Sequence, residues 1–180
     1  MVGYSEVLQT IGAMVIFSLI LLTATNLIKR NTYMEVAGEL EKEVVALAQD
    51  IIEEARTKEF DEWSQGEAPP ANIPGDFTAS SSLGPEGNDD TDDDANSTVQ
   101  RYEFDDFDDY DGWTDTLSTE HGTFTIEADV YYVTSSPHDP SGSRTTFKEL
   151  KVNIKNALLD NGSGEATVYS LNFVRNYYAD

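Results

Sequence analysis

The chain has no cysteine among its 180 residues, which excludes disulfides and thiolate metal sites. Histidine is scarce as well. His121 and His138 are the only two, leaving little for general-base or zinc chemistry. Bases are few, 11 against 34 acids, for a formal net charge of -23. Such a balance repels nucleic acid and anionic lipid, so no nucleic-acid partner is expected. No proline precedes Pro69, so nothing in the first third removes a backbone donor from a helix.

The acidity is uneven. Residues 65–120 carry 16 acids and a single base, Arg101, whereas residues 121–180 carry 7 acids and 5 bases. The run NDDTDDDANST within the Gly-, Pro- and Ser-rich stretch 66–98 reads as a solvated, self-repelling loop.

The most informative stretch is Ile11 to Ile28, IGAMVIFSLILLTATNLI, about 18 residues without a charge. That length crosses a hydrocarbon core as a helix. No other segment approaches it. Beyond Arg30 the polarity rises but helical spacing continues: Ala37, Leu40, Val44, Leu47 and Ile51 fall at three- and four-residue steps. Ala48, Ile52 and Ala55 widen the stripe on one side, which is the pattern of an amphipathic helix with one buried face. Thr23, Thr25 and Asn26 are weak helix formers at the join, and Gly38 is a second soft point. A helix to about Trp63 is expected, stopped by GEAPPANIPG at 66–75 because its prolines forbid continuation. The resulting division is a long helix over residues 1–64, apolar through 30 and amphipathic over 31–64. An acidic head follows over 65–180.

In the head, Val99 to Phe104 is a short candidate strand. Thr123 to Val133 alternates, with Phe124, Ile126, Ala128, Val130 and Tyr132 on one face. Phe147 to Ile154 alternates Leu150, Val152 and Ile154 against Glu149, Lys151 and Asn153, and Ala166 to Val174 closes the series. The turns SSPHDPSGS and DNGSG separate these runs. Period-two patterns joined by short loops predict an antiparallel meander. The expected fold class is therefore α+β, a long N-terminal helix packed on a four-stranded antiparallel sheet.

Three features together resemble the type IV pilin and type II secretion pseudopilin superfamily. They are the apolar opening MVGYSEVLQTIGAMVIFSLILL with its one acid, Glu6, the amphipathic continuation, and the small sheet. DDFDDYDGWTDT at 105–116 is similar to acidic, aromatic segments that precede a sheet strand in several bacterial pilin-like proteins. The family's helix-bending proline is absent from the apolar segment, and no basic leader is visible. If Met1 alone is trimmed, Glu6 becomes the fifth residue, where the family's acid sits. The resemblance implies a non-enzymatic subunit of an extracellular filament at the cell surface, anchored in the inner membrane before assembly. Its partners would be further copies of itself. The subunit-assembly residues would be Glu6, Leu8, Ile11, Val15, Ile16, Leu19 and Leu22, with Glu6 pairing with an α-amine because a bare carboxylate at the edge of hydrocarbon is costly. The rival reading is a single-pass membrane protein whose head is a binding module or accessory subunit. Lys29 and Arg30, just after the span, favour a cytoplasmic head under the positive-inside rule.

Other constellations are weaker. Asp105, Asp106, Asp108, Asp109 and Asp111 offer oxygen ligands of the type that suits calcium, and no other cofactor is indicated. They fail the EF-hand spacing, since counting back from Gly112 puts Phe107 at position one. The competing reading is a structural loop pinned by Phe104, Phe107, Tyr110 and Trp113, rings inward and acids outward. Asn96 and Asn161 head glycosylation triplets. His138 is expected in solvent.

Overall fold

The structure, a computed structural model, describes residues 3–64, 70–86, 100–160 and 166–179. The chain divides into two units, Met1–Lys42 and Glu43–Asp180. One helix, α1 (Tyr4–Thr57), begins in the first and ends in the second.

Within the first unit, every described residue through Val36 is exposed. Helix continues without a break through Thr23, Thr25 and Asn26. The hydroxyls explain why. Thr23 and Thr25 donate to the Leu19 and Leu21 carbonyls at 2.8 Å, and Ser18 donates to Met14 at 2.8 Å. Each of these hydroxyls is satisfied by its own helix, which lets it enter an apolar medium without an orphaned donor.

In the second unit four strands form an antiparallel meander in the order β1-β2-β3-β4: β1 (Thr114–Thr119), β2 (Gly122–Tyr132), β3 (Phe147–Asp160) and β4 (Ala166–Asn176). The α+β expectation holds. Register places Ile126 opposite Ile154, Ala128 opposite Val152 and Val130 opposite Leu150, and all six side chains are buried. The last turns of α1 pack against this face through Val44, Ala48, Ile51 and Ala55, each no more than 1% exposed. Small Ala48 and Ala55 sit where the helix meets the sheet, while Leu47 and Ile52 flank the contact half-buried.

Two expectations are corrected. The first strand is not Val99 to Phe104: the described part of that stretch is a 3-10 turn at Arg101–Glu103. The strand is instead Thr114–Thr119, whose polar residues lie at the sheet edge with no apolar alternation to announce them. The helix also ends at Thr57, before the prolines. Tertiary contacts override local propensity there. Glu59 N–H donates to the Asp105 carbonyl at 3.3 Å, Phe107 N–H donates to the Glu59 carbonyl at 2.9 Å, and Arg175 donates to the Lys58 and Glu59 carbonyls at 2.6 and 3.1 Å. Extending the helix would sacrifice all four bonds and lift Phe60 out of its cluster with Phe77 and Tyr132.

Candidate functional site

The proposed assembly residues all fall in the first unit and all are exposed. Leu8, Ile11, Val15, Leu19 and Leu22 recur at three- and four-residue steps and so share one face. Glu6 and Ile16 lie off that stripe. Glu6 turns back on its own backbone, where Gly3 N–H donates to its Oε2 at 3.3 Å. No helix elsewhere among the described residues is long and apolar enough to span a bilayer. Lys29 and Arg30 follow the apolar run on the same helix.

The acidic, aromatic segment is the second feature. Its rings point inward as expected: Phe104, Phe107 and Tyr110 are buried, with Phe104 edge-on to Tyr110 at 4.9 Å and Phe107 edge-on to Phe173 at 6.3 Å. Its acids do not point outward. Asp106, Asp108 and Asp109 are fully buried, Asp111 is half-buried, and Asp105 alone is exposed. The reason is a shortage of acceptors in a tight 3-10 turn (Asp108–Tyr110). Asp109 Oδ2 accepts from the Asp105 and Asp106 amides at 2.8 and 3.0 Å. Asp106 Oδ1 accepts from the Asp108 and Asp109 amides at 2.7 and 3.3 Å. Asp111 Oδ1 takes the Val130 amide at 2.8 Å, tying the turn to β2. These carboxylates supply the partners that buried amides require. Among the described residues no group of three or more His, Cys, Asp or Glu side chains is placed to hold a metal ion. Gly112, at φ +73°, carries the chain from this turn into β1, a conformation that glycine adopts without steric cost.

Helix α1 clamps the segment from the other side. Tyr110 donates to Glu54 Oε1 at 2.9 Å. Arg101 donates through Nε to Glu54 Oε2 at 2.9 Å and through Nη2 to Asp50 at 2.9 Å. Partial burial alone would raise the Glu54 pKa, but the hydrogen bonds from Arg101 and Tyr110 outweigh it and hold the carboxyl below its ordinary range. Burial and the Glu54 bond push the Tyr110 hydroxyl up.

The structure also assembles a site that neither motif announced. Lys148 is fully buried, as are Asp61, Asp106 and Asp108. Its Nζ donates to the Phe60 carbonyl and to Asp61 Oδ2, both at 2.8 Å, and meets Asp108 Oδ1 directly. It lies 4.8 Å from the Phe60 ring centre and 5.4 Å from that of Tyr132. Asp61 has further donors of its own: the Thr78 amide at 3.1 and 3.0 Å to its two oxygens, and the Trp63 amide and Thr78 hydroxyl at 3.3 Å each, while the Tyr132 hydroxyl beside it donates to the Thr78 carbonyl at 2.8 Å. Desolvation by burial raises both Asp106 and Asp108, Asp106 to about 8, with the charge of Asp108 pushing Asp106 further. One signal in the sequence does point here. Lys148 shares the parity of Leu150, Val152 and Ile154, the inward face of β3, and stands opposite Tyr132.

His138 is exposed as expected. His121, in the β1–β2 turn, sets its Nδ1 2.9 Å from Glu43 Oε2. Asn96 and Asn161 lie outside the described residues. No protein-family model, no curated protein and no solved structure matches this chain.

Proposed function

We propose that the chain is a structural subunit of an extracellular helical filament of the type IV pilin-like class, held in the membrane by its apolar helix before assembly. One observation carries the reading. The apolar run of α1 is unburied on every side, a continuous oily surface far larger than the few hundred Å² that a soluble monomer exposes. Lipid covers that surface in the unassembled subunit and neighbouring helices cover it in the fibre. Transfer from lipid to a helix bundle gains no hydrophobic free energy, so close packing must drive the exchange. Self-satisfied hydroxyls along the helix suit both surroundings. The heads form an acidic sheath that repels at low salt and tolerates salt or divalent ions. The role is assembly, with no substrate turned over.

Lys29 and Arg30 favour a second reading, in which the positive-inside rule keeps the head in the cytoplasm as part of a membrane complex. Negative-stain microscopy of material sheared from cells separates the two. Thin fibres containing this chain support the first. Recovery only from detergent-solubilised membrane, with the head protected from external protease, supports the second.

A further inference from the structure

We propose that Lys148 and Asp108 condense into an intramolecular amide, with Asp106 as the proton donor and Asp61 as the proton acceptor. The bond staples β3 to the acidic, aromatic turn across 40 residues of chain. It does not depend on whether the chain forms fibres.

The reactants are in place. Lys148 Nζ touches an oxygen of the Asp108 carboxyl inside a wall formed by the Phe60 and Tyr132 rings, and both side chains are sealed from solvent. As an ion pair the arrangement is unfinished. Asp106 Oδ2 and Asp108 Oδ2 are buried with no hydrogen-bond partner, and unpaired carboxylate oxygens in a dry interior are costly. A proton on Asp106 shared with Asp108 pairs both atoms at once. Burial, and then the neighbouring Asp108 charge, raise the Asp106 pKa and so favour the protonated form there. Asp61, meanwhile, keeps the Thr78 and Trp63 amides and the Thr78 hydroxyl as donors when the lysine charge is gone.

The step balances. The Lys148 ammonium passes one proton to Asp61 Oδ2, 2.8 Å away, which frees the nitrogen lone pair. The lone pair attacks Cγ of Asp108 while Asp106 gives its proton to an Asp108 oxygen, neutralising the developing charge. The new C–N bond forms, and the nitrogen returns a second proton to Asp106. Asp61 then protonates the departing hydroxyl, the C–O bond breaks and water leaves. Ammonium and carboxylate become amide and water, with Asp61 and Asp106 restored and no oxidant or co-reactant consumed. In water the ionised pair is favoured. In a dry site the balance shifts, because condensation removes two buried charges that the interior solvates poorly.

Tryptic digestion of the full chain, purified in detergent and fully denatured, tests this by mass spectrometry. Acylated lysine resists trypsin, and Arg144 separates the two partners in sequence. The expected product is a branched peptide joining residues 102–144 to the segment that begins at Thr145, lighter than the two parts by one water. Free Thr145–Lys148 peptide, released by cleavage after Lys148, overturns the proposal. Asp106→Asn should leave the bond unformed and restore the missing water to the intact mass. A branched peptide that persists undiminished in Asp106→Asn overturns the role of Asp106 while leaving the bond itself established.

Discussion

Phe107→Ala tests whether the acidic, aromatic segment is held by its rings. The Phe107 side chain is fully buried, packed edge-on against Phe173 at 6.3 Å with the Arg175 guanidinium 5.6 Å from its ring centre. A phenylalanine buries on the order of 150–200 Å², which at about 25 cal/mol per Å² is roughly 4–5 kcal/mol. Core Phe→Ala changes cost about 3–5 kcal/mol when the site does not collapse. Arg175 still holds the Lys58 and Glu59 carbonyls, and the Phe107 amide still reaches Glu59, so the backbone frame survives and collapse is limited. A loss of about 4 kcal/mol is expected, or roughly 10–15 °C in Tm for a unit of this size. Thermal melting of the detergent-solubilised chain by circular dichroism measures it. Tyr102→Ala, in the same segment but 73% exposed, should stay within about 0.5 kcal/mol. Equal and small effects from both substitutions would refute the inward-ring account.

The remaining expectations are shorter. Glu54 is held below its ordinary pKa in the folded state, so its contribution is present above pH 4.5 and lost as pH falls through the folded value. Glu54→Gln should therefore flatten the acid limb of a stability-against-pH curve relative to the natural chain, and an unchanged limb would contradict the clamp. Leu19→Lys places a charge on the shared apolar face of α1 and should abolish fibres in sheared material while the melting of the head stays unchanged; abundant fibres from this variant would count against the proposed assembly face. Gly112→Ala forces a Cβ into a positive-φ position and should cost about 1–2 kcal/mol in the same melting assay, with no cost arguing against that backbone conformation.

Periodicity alone determined much of this protein. The uncharged run fixed the exposed first half of α1, because an apolar surface that closes all round a helix cannot be buried by one neighbour. Three- and four-residue spacing from Val44 to Ala55 named the face that packs on the sheet, and strict alternation in Phe124–Tyr132 and Leu150–Ile154 named the sheet's inner face. Tertiary structure decided the rest. Strand β1 has no alternating pattern because neither of its faces is buried, so only pairing with β2 reveals it. Helix α1 stops at Thr57 because the Lys58 and Glu59 backbone finds partners outside it, from residues more than forty positions away. The aspartates turned inward because a tight turn needed acceptors for its amides, a requirement that composition reads as solvation. Lys148, Asp61, Asp106 and Asp108 come from three separate stretches, and only folding brings their charges into one dry site.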